Sequence, residues 1–179
     1  MKALETEYKG CRFRSRLEGR WAAFMDAAGV KWEYEKEGYD LDGLFYLPDF
    51  WLPKLESFLE IKPSEPNHEE TEKASRLAQA SGHKVYLFWG TPEVPDFGGF
   101  HSEGCAHVYE DSGGDYHHVW CECQICGFVG IEFDGRSERL NCGCDKGKAD
   151  RYNFDSTKLK AAYAKARSYR FEPSARGCE

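Results

Sequence analysis

No stretch of the 179-residue chain is apolar over the length a membrane crossing needs, and its start, MKALETEYKG, lacks the apolar segment of a signal peptide. The expected setting is therefore the cytoplasm, with no membrane partner. There is no internal repeat and no low-complexity tract, which sets aside repeat arrays and disordered linker proteins. An excess of positive charge is also missing: the net charge is −7, which at first argues against nucleic acid.

The distribution of charge weakens that objection. Residues 1–30 carry six Lys and Arg against four acids, residues 31–145 nine against twenty-three, and residues 146–179 nine against four. Two basic ends thus flank an acidic middle. Arg12, Arg14 and Arg16 before or on a first helix, and Lys158, Lys160, Lys165 and Arg167 on a last one, are candidate phosphate contacts. Ordinary solvated helix faces would give the same charges.

Hydrophobic residues make up 41% and aromatics 15% of the chain, enough for a real core. Leu17, Trp21, Phe24 and Ala28 recur at helical spacing, which predicts a helix over 13–28 closed by Gly29. Residues 31–35 alternate like a half-exposed strand, and 47–52 and 57–62 read as a hairpin around Pro53-Lys54-Leu55-Glu56. A helix over 68–80, a buried strand over 85–89 and a closing helix over 155–170 complete the pattern. The order helix, three strands, helix, strand implies an α/β (α+β) core with a mixed sheet flanked by helices. The expected division is a core over 1–95, a linker or long loop over 96–115, a cysteine-bearing module over 116–146 and a basic helix over 147–179 packing on core or module.

Within the hairpin, a four-residue loop pairs Leu52 with Ser57, Trp51 with Phe58 and Phe50 with Leu59, and sets Asp49 opposite Glu60. Alternation puts Asp49, Glu60 and Lys62 on one face. Carboxylates facing each other at about 5 Å repel, so positive charge must lie between them. Lys62 supplies part of it, and a hard divalent cation such as Mg²⁺ can supply the rest. A surface ion pair between Glu60 and Lys62 beside a turn aspartate is the plainer alternative. Glu18 sits at the edge of the first helix's apolar stripe. It fits either a capping box with Ser15 or a third carboxylate leaning over the sheet, with Arg14 available for a phosphate.

The chain has eight cysteines, and in a reducing compartment metal explains them better than disulfides. Cys123 and Cys126 form a Cys-x2-Cys knuckle followed by Cys142 and Cys144, a set that suits a closed, structural tetrahedral Zn²⁺. Cys121 is a fifth candidate that can replace one of the four. Cys11, Cys105 and Cys178 are isolated, and His117 and His118 read as surface residues.

The segments FRSRLEGRWAAFMDAAGVKWEYEKEGYDL, YLPDFWLP, FLEIKP and KVYLFWG resemble the PD-(D/E)XK nuclease superfamily, in particular small nuclease-like proteins of phage genomes. The resemblance extends more weakly to the cysteine region and to AAYAKARSYRFE. It implies a restriction-endonuclease-like α-β-β-β-α-β core with a zinc ribbon, and a Mg²⁺- or Mn²⁺-dependent hydrolase that cuts or nicks DNA. Carried over by position, Asp49, Glu60, the Ile61 backbone carbonyl and Glu18 would hold the catalytic metal, and Lys62 would position or activate the attacking water. DNA is the implied partner, with a second copy of the chain or a host or phage protein as further candidates, and the host cytoplasm as the setting for a phage-encoded chain. The superfamily also contains silent members, so a nuclease-fold protein that binds DNA or a host factor without cutting, for example to block a defence system, stands as the alternative. A zinc-ribbon adaptor between proteins is a third.

Overall fold

The computed structural model describes residues 4–95, 105–109, 118–133, 140–144 and 153–171. Within them lie three helices, α1 (Arg16–Ala28), α2 (His68–Ser81) and α3 (Thr157–Ser168). Eleven strands accompany them: β1 (Thr6–Tyr8), β2 (Cys11–Phe13), β3 (Glu33–Tyr34), β4 (Tyr39–Leu41), β5 (Leu44–Tyr46), β6 (Phe50–Leu52), β7 (Ser57–Lys62), β8 (Lys84–Trp89), β9 (Cys105–Tyr109), β10 (His118–Glu122) and β11 (Val129–Phe133). The protein is a mixed α+β fold around a seven-stranded mixed sheet of order β11-β10-β9-β8-β7-β6-β3. Among the described strands only the β7–β8 pair is parallel, and the α2 crossover between them is what a parallel pair requires. None of the described helices is long and apolar enough to cross a membrane.

Side chains alternate across β7 and β8, so each buries two faces. Leu59, Ile61, Tyr86 and Phe88 join Trp21, Phe24, Trp120 and Tyr163 in the larger core, under α1 and α3. Phe58, Val85 and Leu87 join Ala74, Leu77, Ala78 and Leu41 in a second core under α2 and the β4–β5 hairpin. Gly19 matters on α1, because a Cβ there would meet Thr6 Cγ2 at 2.8 Å and the Phe171 ring at 3.0 Å. Its absence lets β1 and the chain after α3 close on the helix.

The predicted hairpin register is present: Leu52 pairs with Ser57, Trp51 with Phe58 and Phe50 with Leu59. Three features differ from the sequence-based expectation. The β1–β2 and β4–β5 hairpins were not anticipated. Their turns at Lys9-Gly10 and Asp42-Gly43 place all four residues at positive φ, the geometry that two-residue hairpin loops favour. The segment expected as a linker contains β9, which pairs with β8 on one side and β10 on the other. Its remaining residues, 96–104 and 110–115, lie outside the described set. Finally, β10 and β11 are the edge of the main sheet rather than a ribbon standing apart. The reason is Trp120, fully buried, which stacks on Phe88 at 5.8 Å and meets Phe24 edge-on at 5.5 Å. Val129 and Ile131 share that core.

Candidate functional site

Two clusters of chemistry-bearing residues stand out, and the first forms where α1, β3, β6 and β7 meet. Phe13, fully buried, packs on Tyr34 at 4.5 Å, and Tyr34 packs on Phe50 at 5.3 Å. This aromatic wedge fixes the chain just before α1, so Arg14 and Ser15 face the start of β6. Ser15 caps the helix: its Oγ accepts from the Glu18 N–H at 3.2 Å and its hydroxyl donates to Glu18 Oε1 at 2.6 Å. Tyr34 donates its hydroxyl to Glu18 Oε2 at 2.5 Å. Glu18 therefore both closes the helix end and is drawn, 8% exposed, toward the sheet. The capping box is half formed: Ser15 Oγ accepts from the Glu18 N–H, while the Glu18 carboxylate accepts from the Ser15 hydroxyl.

Asp49 and Glu60 are 5% and 1% exposed. They interlock across the hairpin through backbone N–H groups of the facing strand. Glu60 Oε1 accepts from the Asp49 N–H at 3.0 Å, and Asp49 Oδ2 accepts from the Ile61 N–H at 2.8 Å. Beyond Phe50 the ladder thus continues with side-chain carboxylates standing in for carbonyls. On the other side of the strand, the Glu35 N–H donates to the Asp49 carbonyl at 2.9 Å. Ile61, expected to lend its carbonyl, meets Asp49 through its N–H.

The positive charge demanded by facing carboxylates comes from two side chains. Lys62 Nζ lies 3.0 Å from Glu60 Oε2, and Arg14 Nη2 lies 2.7 Å from Asp49 Oδ1 while its Nε reaches Glu35 at 2.7 Å. These do not suffice for Asp49: burial, then the charges of Glu60 and Glu18, push its carboxyl well above the usual range against the pull of Lys62 and the Ile61 N–H. Burial alone would lower Lys62, but Glu60 and Asp49 outweigh it and keep the ammonium charged. Tyr46 was not singled out by sequence. It bonds Glu60, and burial followed by the Glu60 charge pushes its phenol far up, so it stays a neutral donor. Only its place three residues before Asp49 hinted at this. Lys62 is held at its backbone as well, where its carbonyl accepts from the Gly90 N–H at 3.0 Å.

The second cluster is Cys123, Cys126, Cys142 and Cys144, whose sulfurs all lie within 4.8 Å of one another. Cys144 Sγ is 3.4 Å from Cys123 Sγ and 3.1 Å from Cys142 Sγ. Four sulfurs about 2.3 Å from a central Zn²⁺ would stand about 3.8 Å apart, so the cluster is compatible with a structural zinc site. Burial pushes the Cys123 thiol up, but the N–H groups of Cys126 and Ile125 overcome it and bring it to about 7, favouring thiolate. Cys121 is outside the group. It is fully buried on β10 beside Cys123 and Leu140, and burial pushes its thiol far up, so it packs as a small hydrophobe. Among the described residues, the cysteines are the only group of three or more ligating atoms drawn together this closely; Glu18, Asp49 and Glu60 are not.

The expected phosphate contacts are largely engaged within the chain. Arg12 pairs with Glu5, Arg14 with Asp49 and Glu35, and Lys160 with Asp155. Arg167 lies 3.9 Å from Glu93, and Lys158 donates to the Gly127 carbonyl at 2.8 Å. Arg16 and Lys165 are exposed, with no ion pair among the described residues. His118 is 7% exposed and packs on Tyr86 and Phe133, a correction to its reading as a surface residue caused by its place inside β10; His117 lies outside the described residues. Comparison of the chain with protein-family models, with curated proteins and with solved structures gives no match.

Proposed function

We propose that the chain is a metal-dependent phosphodiesterase that cuts or nicks DNA, on a restriction-endonuclease-like core. The observation that carries this reading is the Asp49–Glu60 pair: two buried carboxylates interlocked across a hairpin, with Lys62 at 3.0 Å. The order α1, β3, β6, β7, α2, β8 supports it.

The donor set fits Mg²⁺ or Mn²⁺. Its carboxylate oxygens are hard ligands, and their recorded bonds leave lone pairs open. The Asp49 carboxyl, raised first by burial and then by the charges of Glu60 and Glu18, would be brought down by a cation bound beside it. Asp49 and Glu60 would hold the ion, with the Glu18 charge adding to the site, and the ion would supply Lewis acidity and a more acidic bound water. Lys62, kept charged, donates hydrogen bonds toward the attacking water or a phosphate oxygen. Arg14, its side chain 56% exposed, can exchange Asp49 for a phosphate. Tyr46 and Tyr34 hold Glu60 and Glu18 in place. In this reading zinc at the four cysteines is structural, since four thiolates leave no open position.

One observation favours the silent alternative, a nuclease-fold protein that binds DNA without cutting it. Arg14 and Lys62 already give each carboxylate a cation, so the pair could serve the fold alone. Incubation with supercoiled, linear, single-stranded and branched DNA, with and without Mg²⁺ or Mn²⁺, separates the two. Cleavage that needs the metal supports the proposal, and salt-sensitive binding without cleavage supports the alternative.

A further inference from the structure

The β6–β7 turn comes up against the β11 edge of the large sheet: a Cβ at Gly130 on β11 would lie 3.3 Å from Leu55 in that turn, although β6 and β11 are far apart in strand order. Beside this contact, the turn, the end of α1, the cysteine loops and the start of α3 enclose a hollow of about 340 Å³. Three lysines line it, each from a different element: Lys31 after α1, Lys54 in the turn and Lys158 on α3. No Asp or Glu is found among the described residues that line it.

Three lysines around one hollow, in a chain of net charge −7, call for a partner. Lys158 has one: its Nζ donates to the Gly127 carbonyl at 2.8 Å, and it lies close to the C-terminus of α1, where a cation is favoured. Lys31 and Lys54 make no ion pair and no hydrogen bond among the described residues. Cys126 and Cys142 also line the hollow. Four thiolates on a divalent zinc carry two net negative charges, which three lysines more than offset.

We propose that this hollow binds a phosphate group. Ammonium groups on flexible stems suit a tetrahedral oxyanion approached from several sides, whereas a planar carboxylate is better matched by the fork of arginine. The volume admits a phosphate with its sugar, at the low end of ordinary ligand cavities. The group can come from a nucleic-acid backbone or from a free nucleotide. The proposal does not depend on the reading of Asp49 and Glu60.

The test is calorimetric titration of the full chain as purified with inorganic phosphate, with thymidine monophosphate and with a single-stranded oligothymidylate, for wild type and for Lys31→Gln and Lys54→Gln. Each substitution should weaken binding by about tenfold, the worth of a hydrogen bond to a charged group. If the backbone is the source, the oligonucleotide shows the loss and its log-affinity against log-salt slope flattens by about one unit per lysine. If a nucleotide is the source, the monophosphate shows the loss and the oligonucleotide does not. Either result supports the site. Wild type that binds none of the probes, or variants that bind all of them as wild type does, overturns it. Faster loss of zinc to a chelator in the variants, with phosphate affinity unchanged, would also overturn it by assigning the lysines to the thiolates.

Discussion

Replacing Asp49 by Asn removes a charge and almost no volume, and its effect on the metal-free protein should depend on pH in a particular direction. In the folded chain the Asp49 carboxyl is held well above its ordinary value by burial and by Glu60 and Glu18. The folded state therefore keeps its proton at pH values where the unfolded chain has released it. Between the ordinary carboxyl range and the raised value, the unfolded state binds fewer protons, so stability falls as pH rises. For one proton the loss is at most about 1.4 kcal/mol per pH unit. The Asn variant lacks this group, and its stability should hold up through that window while wild type declines. Asn keeps an oxygen for the buried Ile61 N–H, whereas Ala would leave that donor unpaired at a cost of about 1–3 kcal/mol. Asp49→Asn is thus the cleaner variant, and Asp49→Ala should be the less stable of the two. The assay is urea unfolding in EDTA at closely spaced pH values from 4 to 8. Curves for wild type and Asp49→Asn that run parallel throughout would refute the argument, because they would show that Arg14 already satisfies Asp49.

Further outcomes follow from the rest of the structure. Protein purified without added zinc should carry about one zinc per chain; Cys126→Ser and Cys142→Ser should lose it and Cys121→Ser should keep it, and an apo wild type with the cysteine region folded would sink the site. Trp120→Ala should cost about 3–5 kcal/mol and lower the midpoint of one shared transition, because Trp120 is fully buried against α1 and β8. A separate transition for β10–β11, seen by hydrogen exchange, would mean that they fold as their own unit. Arg16→Ala and Lys165→Ala, whose cations have no ion pair among the described residues, should each flatten the salt dependence of DNA affinity by about one unit, and unchanged slopes would make them a solvated face.

Local pattern carried much of this fold. The hairpin of β6 and β7 was legible because its loop length and its alternation agree, and a one-residue slip would have turned Glu60 into the core of Leu59 and Ile61. The three helices announced themselves through apolar spacing, and α1 and α2 also through the glycines that end them. The β4–β5 hairpin was less visible, because residues 35–43 are mostly acidic or glycine, and from β4 only Leu41 is buried in a core, with Tyr39 half-buried against it. Asp42-Gly43 was nevertheless a fair signal for it. β10 was obscured for the opposite reason: Val119, Trp120 and Cys121 are all buried, so no alternation distinguishes it from a cysteine-rich loop. At the site, the carboxylates and Lys62 followed from register. The reach of Arg14 to Asp49, across 35 residues of sequence, depends on the packing of Phe13, Tyr34 and Phe50 and has no local signature.

The central claim is that Asp49 and Glu60 hold a cation for phosphodiester hydrolysis and that Lys62 serves the reaction rather than the ion. The most direct measurement pairs a plasmid-nicking assay in Mg²⁺ with calorimetric Mn²⁺ titration for wild type, Asp49→Asn and Lys62→Ala. Wild type should bind the metal and cut, Asp49→Asn should do neither, and Lys62→Ala should bind the metal yet leave the plasmid intact. Cutting by Asp49→Asn at the wild-type rate, or wild type that binds DNA and cuts it with no divalent metal tried, would contradict the account.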